Sequence, residues 1–312
     1  MTKIAVMDDY QGVALDYADW SGLDVTVFND HQRDEAAVIE RLQPFEIICP
    51  MRERTRISRN VIESLPNLKL IATTGMRNAG IDIAAAQERG VMVTGTQGSA
   101  TPTPELAMGL ILSLARSIPQ EGRAMQRGQW QTSIGRSLKG ATLGLLGLGR
   151  LGAQVAHYAR AFDMNLIAWS QNLTEERAAE QGAKLVDKAT LFREADFISV
   201  HLVLGDRTRG LVGAEELALM KPDACIVNTS RGPIIDEAAL LTALLEKRIG
   251  GAGLDVYDVE PLPADHPFRT LDNAVLTPHL GYVTEDTYRI FYAQTVECVR
   301  AGLAGDPVRV IS

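Results

Sequence analysis

The sequence predicts an α/β protein made of two doubly wound parallel-sheet domains. Short β-branched or apolar runs alternate with helical stretches almost throughout, and they do so in two series separated by a long helical segment. A chain of 312 residues with 46% apolar and 22% charged residues is also long enough to bury a core in each of two domains.

The first series comprises the strand-like runs "KIAVM", "DVTVF", "EIICP", "LKLIATT" and "VMVTG", separated by segments such as "RDEAAVIERL" that carry helical periodicity. The segment "TPTPELAMGLILSLARSIPQEGRAMQRGQW" then opens with Thr and Pro, which favour a helix start, and continues with apolar residues at helical spacing. It reads as one long connecting helix, suited to an interdomain or interface position. The second series runs through "ATLGLLGLG", "NLIAWS", "FISVHL", "ACIVNTS", "GAGLDV" and "NAVLTPH". A final helix is expected from about Thr284 to Leu303. If it packs on the first domain, that domain is discontinuous.

A net charge of −8 with no local cluster of Lys and Arg argues against a nucleic-acid-binding surface. No apolar stretch reaches the length of a membrane span or a signal peptide, so a cytoplasmic protein with no membrane partner is expected. Cys49, Cys225 and Cys298 lie far apart, the first two in strand-like runs, and read as buried free thiols. The five histidines show no metal-ligand spacing, so no metal site is indicated.

Chemistry begins at "LGLLGLGRLGAQVAHYARAF", where Gly147, Gly149 and Gly152 form a GxGxxG turn between an apolar strand and an Ala-rich amphipathic helix. Gly147 permits the tight turn, Gly149 lets backbone approach a pyrophosphate, and Gly152 lets the helix pack closely on the strand. The helix N-terminus favours the anion. The cofactor-binding turn therefore comprises Gly147, Gly149, Arg150, Leu151 and Gly152, with Arg150 either on a phosphate or solvated. Both domains are expected to be Rossmann-like or flavodoxin-like, with a cleft between them. Residues 99–282 are expected to form the dinucleotide-binding domain, and 1–98 plus 283–312 a discontinuous second domain, the substrate (catalytic) domain that the family resemblance below implies.

The next strand ends at Trp169-Ser170, where an acid commonly accepts both ribose hydroxyls. Ser170, Gln171 and Asn172 stand there instead and can hydrogen-bond either a hydroxyl or a 2′-phosphate. NAD(H) and NADP(H) are both admitted. The following Glu175 and Glu176 precede Arg177, so the phosphate is permitted without being strongly invited.

Three further stretches, "NTSRGPIID", "GLDVYDVEP" and "LTPHLG", each put a polar or charged group at the C-terminal end of a strand-like run, where open α/β sheets bind ligands. They supply Arg231, Asp255 with Glu260, and His279. An Arg that polarises a carbonyl, a His that moves a proton and a carboxylate that orients the His suit hydride transfer to a carbonyl.

In this order and spacing, the glycine turn, "NTSRG", "GLDVYDVEP" and "TPH" resemble the D-isomer-specific 2-hydroxyacid dehydrogenases over essentially the whole chain. The resemblance implies an oxidoreductase with His279 as general acid/base, Glu260 as its paired carboxylate and Arg231 as the anchor of a small 2-oxo or 2-hydroxy acid. It also implies Thr229 and Asp255 on the cofactor side, with Asp255 near the nicotinamide, and a structural role near the cofactor for His201. A homodimer is implied as well, and the apolar helix from Pro104 fits one. Family members hold the substrate carboxylate on backbone N–H groups of a small loop, here Met76, Arg77 and Asn78 in "TGMRNAGIDI". Arg77 stands where Gly is common, and with Arg52 or Arg54 it suits a substrate carrying a second acidic or polar group. Glu105, in the first turn of its helix, is explained by the helix dipole.

Other activities fit less well. Formate oxidation needs no Glu–His relay. A regulated phosphoglycerate dehydrogenase is disfavoured because nothing remains after the final helix for a further domain. The alternative of a different class is a dinucleotide-sensing binding module resembling the C-terminal-binding corepressors, since fold does not establish activity.

Overall fold

Strands whose side chains are apolar on both faces need cover on both sides, and the chain supplies it by returning through a helix after almost every strand. The computed structural model describes residues 1–312, which divide into two units, Met1–Ser99 with Thr284–Ser312, and Ala100–Val283.

The first unit opens with β1 (Lys3–Val6), β2 (Asp24–Val27), α1 (Glu35–Leu42), β3 (Ile47–Cys49), α2 (Arg59–Ser64), β4 (Leu70–Thr73), α3 (Ile83–Glu88) and β5 (Met92–Gly95). Its strands pair in parallel in the order β2-β1-β3-β4-β5. The side chains of Asp34, Ser58 and Asp82 each accept a backbone N–H at the start of α1, α2 and α3, which sets where those helices begin.

The second unit contains α4 (Pro102–Arg116), α5 (Ile118–Gln126), β6 (Thr142–Leu146), α6 (Arg150–Ala161), β7 (Asn165–Trp169), α7 (Glu175–Glu180), β8 (Lys184–Leu185), α8 (Lys188–Glu194), β9 (Phe197–Val200), α9 (Ala214–Leu219), β10 (Cys225–Asn228), α10 (Glu237–Leu245), β11 (Gly251–Leu254) and β12 (Ala274–Leu276). Its seven parallel strands run in the order β12-β11-β10-β9-β6-β7-β8. On one face, Leu143, Leu145, Phe197 and Val227 pack with Leu110 and Ile111 of α4 and Val155 and Ala159 of α6. On the other, Ile198, Ile226 and Leu254 pack with Phe192, Leu217 and Leu240 from α8, α9 and α10. The chain then re-enters the first unit as α11 (Glu285–Ala304), capped by Thr284 and packed on β4 and β5. Residues 309–311 add an antiparallel edge to β5, through Gly95 N–H to Arg309 O and Ile311 N–H to Val93 O.

Two expectations about the connecting helix need correction. It is not one helix: Ser117 is left-handed at φ 50°, and α4 stops before it. Pro119 has no N–H to continue the ladder and its ring would strike the carbonyl of Ala115, which instead accepts the Arg136 N–H at 2.8 Å. Nor is its apolar stripe spare, because Ala107, Met108, Leu110, Ile111 and Ala115 are buried in the unit's own core. The exposed apolar side chains come later, at Ile118, Met125, Trp130 and Ile134.

All three cysteines are buried free thiols. No helix is long and apolar enough to cross a membrane.

Phe197 is fully buried on β9 beneath the Arg136 guanidinium, 4.2 Å from the ring centroid. Phe197→Ala is expected to cost about 3–5 kcal/mol in urea unfolding. A loss below about 1 kcal/mol is inconsistent with that packing.

Candidate active site

The parallel register of the second unit aligns its strand ends. Leu146, Val200, Asn228, Leu254 and Leu276 pair across β6, β9, β10, β11 and β12, and Trp169 of β7 pairs with Leu146. The residues that follow are Gly147, His201, Thr229, Asp255, Thr277 and Ser170. At the usual strand spacing this edge is roughly 24 Å long. Nearly every residue selected from the sequence of this unit lies on the edge or in the loop that leaves it.

At its centre the strand order reverses between β6 and β9, which opens the crevice where doubly wound sheets bind ligands. Gly147 has φ 102°, and a Cβ there would lie 2.6 Å from the His201 carbonyl oxygen. Gly152 brings α6 against the turn so closely that its Cβ would sit 2.2 Å from the Gly147 oxygen. A Cβ on Gly149 would meet nothing within 4 Å, so the space over its backbone is open. Helix α6 begins at Arg150 without a side-chain cap, leaving its first N–H groups to an outside acceptor. Arg150 is exposed and Leu151 half-buried.

Two atoms on the same edge, His201 Nδ1 and Thr229 Oγ1, are buried without a hydrogen-bond partner, and a bound ligand can satisfy both. The other ring nitrogen of His201 lies 2.8 Å from Ser199 Oγ. Burial pushes the His201 pKa down to about 4. Together, the open glycine, the uncapped helix and the unpartnered polar atoms fit a dinucleotide. Beyond β7, Ser170 is half-buried and Gln171 and Asn172 are exposed. The Ser170 carbonyl is held by the Leu173 N–H at 3.1 Å, while Thr174 caps α7.

At the other end of the edge, His279 Nδ1 lies 2.5 Å from Glu260 Oε2. The second oxygen of Glu260 accepts the Tyr257 N–H at 2.9 Å, so the carboxylate faces the imidazole from a fixed position. His279 is left-handed at φ 54°, a conformation disfavoured for residues with a Cβ. Asp255 holds it there. The Asp255 carbonyl accepts the His279 N–H at 2.9 Å. Its carboxylate accepts Thr277 Oγ1 at 2.6 Å, the Leu280 N–H at 2.7 Å and the Gly281 N–H at 2.9 Å. Burial raises the Asp255 pKa, opposed by those hydrogen bonds and by His279. Tyr257 ties the same loops together, its hydroxyl lying 3.0 Å from the Leu254 carbonyl and 2.9 Å from that of Thr277.

Arg231 leaves β10 through a turn stapled by Asn228, whose side chain donates to the Arg231 carbonyl and accepts the Ser230 N–H. The Arg231 guanidinium donates to the Ser230 carbonyl at 2.7 Å.

In the first unit, the turn after β4 carries Met76, Arg77 and Asn78, whose backbone N–H groups donate to no protein acceptor. The side chains of Met76 and Arg77 are exposed. That of Asn78 is spent internally, donating to the Arg52 carbonyl and Thr73 Oγ1 and accepting the Gly80 N–H. Arg54 is also engaged, bonding the Asp8 carbonyl and the Tyr288 hydroxyl and stacking on Tyr10. Glu105 is exposed in the first turn of α4.

Residues 108–281 match the model of the NAD binding domain of D-isomer specific 2-hydroxyacid dehydrogenases. The chain belongs to this family. It is 39% identical over 310 residues to D-3-phosphoglycerate dehydrogenase from Methanocaldococcus jannaschii, covering 98% of this chain and 58% of the relative. It is 38% identical over 281 residues to hydroxypyruvate reductase from Thermotoga maritima, covering 88% of this chain and 90% of the relative. A solved phosphoglycerate oxidoreductase from Vibrio cholerae superposes with a TM-score of 0.92 at 39% identity, covering 97% of this chain and all of the other. The chain spans little more than half the length of the phosphoglycerate dehydrogenase relatives that it matches.

Within this family member, sequence reasoning selected the groups that carry charge and missed those that position them. Asn228, Tyr257 and Thr277 all lie inside or beside the quoted motifs, and their signal is a polar residue at or just past the last position of a buried strand. Asp255 was expected on the cofactor side; its carboxylate is bonded by Thr277, Leu280 and Gly281 of the loop after β12, and its N–H by the Asn228 carbonyl.

Asp255→Asn replaces one accepting oxygen with a donor, so the Thr277–Gly281 loop loses at least one bond. The expected cost is about 1–3 kcal/mol, with faster amide exchange at Leu280 and Gly281. Unchanged exchange there refutes the holding role.

The lowered His201 pKa also predicts a pH effect. The unfolded chain takes up a proton near the ordinary 6.5 while the folded chain stays neutral to about 4. The folded state thus binds fewer protons in that window, and its stability falls as the pH drops through it. In urea titrations across this window, His201→Gln is expected to flatten the slope; a slope identical to that of the unaltered protein rejects the assignment.

Proposed function

We propose that the chain is an NAD(P)-dependent oxidoreductase that interconverts small 2-oxo acids and their D-2-hydroxy acids. The observation that carries this reading is the His279–Glu260 pair, held on the same strand edge as an open glycine turn and an uncapped helix N-terminus. The names of the relatives, which include glyoxylate and hydroxypyruvate reductases, support a small 2-oxo acid as substrate.

The dinucleotide spans the edge from Ser170, Gln171 and Asn172 at the ribose, over Gly147, Gly149, Arg150, Leu151 and Gly152 at the pyrophosphate, to Thr229 and Asp255 near the nicotinamide. When bound, it supplies or accepts the hydride at C2 of the substrate. Arg231 orients the carbonyl and draws charge toward its oxygen. His279 gives its proton to that oxygen during reduction and takes it back during oxidation. Glu260, fixed by the Tyr257 N–H, keeps Nδ1 of His279 engaged so that Nε2 is the nitrogen facing substrate. The N–H groups of Met76, Arg77 and Asn78 receive the substrate carboxylate. Residues 99–282 thus act as the dinucleotide domain, and the remainder acts as the substrate domain.

Ser170 in place of an acid removes the repulsion that a carboxylate exerts on a 2′-phosphate, so NADP(H) is admitted beside NAD(H). We further infer a homodimer, supported by exposed Ile118, Met125, Trp130 and Ile134 on one segment of the second unit. The three unpaired buried thiols support a reducing, cytoplasmic compartment.

A matrix of NADH and NADPH against glyoxylate, hydroxypyruvate, pyruvate, phenylpyruvate and oxaloacetate tests both specificities. Turnover of at least one acid is expected, with His279→Gln losing turnover by about 100-fold or more while cofactor affinity holds. Ser170→Asp is expected to move the preference toward NADH. Dinucleotide binding with no turnover of any acid replaces the enzyme reading with that of a binding module.

A further inference from the structure

The reading of the Met76–Asn78 turn as a carboxylate site leaves open what keeps its donors exposed and why an anion prefers it. A turn with three N–H groups free of protein acceptors can also close on its own carbonyls, which would take those donors from a ligand. A group that occupies the carbonyls favours the open arrangement.

Arg52 occupies that position. It follows β3 by three residues and is left-handed at φ 51°. Its backbone is bound to the turn on both sides: the Arg52 N–H donates to Thr74 Oγ1 at 2.8 Å, and the Arg52 carbonyl accepts Asn78 Nδ2 at 2.6 Å. Its guanidinium lies beside Gly75 at the start of the turn. A Cβ on Gly75 would come within 1.7 Å of Arg52 Nη1, so only glycine leaves room for it, and φ 85° at Gly75 is itself a glycine conformation. From there Nη1 reaches the Thr74 carbonyl at 3.3 Å and the Arg77 carbonyl at 3.4 Å, one before the donor-bearing stretch and one within it. Thr96 Oγ1 takes the Gly75 N–H at 2.8 Å and fixes the turn from β5.

The three arginines near this turn therefore differ. Arg54 is committed to the Asp8 carbonyl, Tyr288 and Tyr10. Arg77 is exposed, and its carbonyl rather than its side chain is what the turn uses. Arg52 alone is pinned to the carbonyls of the turn. Its charge is offset only in part by Glu53, whose carboxylate lies 3.6 Å from Nε.

We propose that Arg52 is a positioning and specificity residue: it occupies the Thr74 and Arg77 carbonyls of the turn so that three N–H groups stay available, and it sets a fixed positive charge behind them. The occupant is a carboxylate attached to a small neutral or anionic body. The neutral ester or amide of the same acid meets the same N–H groups but gains nothing from the charge. The inference rests on the carboxylate reading above and refines it, moving the selective charge from Arg77, where the sequence suggested it, to Arg52.

The test is calorimetric binding of oxamate, an unreactive 2-oxo acid mimic, and of its neutral ethyl ester to the full chain with NADH present, comparing the unaltered protein with Arg52→Gln, Arg52→Lys and Arg77→Gln. Arg52→Gln is expected to weaken oxamate by about 10- to 100-fold and the ester by less than about 3-fold, with NADH affinity unchanged. Arg52→Lys should recover part of the loss, because it keeps the charge without the planar fork. Arg77→Gln should change oxamate less than Arg52→Gln does. Amide exchange at residues 76–78 should slow in Arg52→Gln, where the N–H groups close on the freed carbonyls, and stay as in the unaltered protein in Arg77→Gln.

Equal weakening of oxamate, ester and NADH marks Arg52 as merely structural and overturns the proposal. If Arg52→Gln binds oxamate as well as the unaltered protein does, the proposal fails while the carboxylate site survives. If the unaltered protein binds no oxamate, both are rejected.

Discussion

Asp255 lies fully buried at the end of β11, where its carboxylate gathers Thr277 Oγ1 and the N–H groups of Leu280 and Gly281 while its carbonyl takes the N–H of His279. A buried carboxylate is costly unless its oxygens are bonded, and the donors that bond this one belong to the loop that leaves β12. The loop therefore has one low-energy arrangement. His279 is left-handed in it, and its imidazole meets Glu260. Glu260 in turn is set by the Tyr257 N–H, and the Tyr257 hydroxyl by the carbonyls at the ends of β11 and β12. The placement of the His279 imidazole against Glu260 thus depends on a buried acid one loop away.

The same logic of aligned strand ends organises the rest of the unit. A parallel sheet in register delivers every loop from one edge, so a glycine turn, a threonine, an arginine turn and a histidine loop that are far apart in sequence emerge side by side. The reversal of strand order separates the helices that follow β6 and β9, leaving a crevice, and the N-terminus of α6 points its free N–H groups there. Strand order also decides that Ser170 lies beyond β7 and the His279–Glu260 pair beyond β12, at opposite ends of one line.

The first unit repeats the device with a different outcome. Its strand ends carry no glycine fingerprint but a turn whose carbonyls are taken up by Arg52 and whose N–H groups are left over. In both units the fold leaves a group of backbone donors without an internal acceptor. In the second unit they stand at a helix start, and in the first unit in a turn whose Thr74 and Arg77 carbonyls face Arg52.

Much of this was legible in the sequence because it is written in local patterns. Apolar runs of strand length, Gly147 to Gly152 before an amphipathic helix, and the polar residues of "NTSRG", "GLDVYDVEP" and "TPH" after strand-like runs each depend only on neighbours in the chain. They were enough for two parallel-sheet units and for the charged members of the candidate site. The long apolar helix misled because periodicity continues through Ser117, while the break comes from a proline two residues on and from a carbonyl claimed by distant Arg136. Its apolar face likewise reads the same whether it covers a sheet of its own chain or a partner. Register, and with it the meeting of His279 with Glu260, is a contact between segments remote in sequence, and so is the choice among Arg52, Arg54 and Arg77. By itself the sequence determined which chemistry was on hand; the tertiary structure decided which groups meet and which are spent on holding others, because hydrogen bonds across strand ends carry no trace in local spacing.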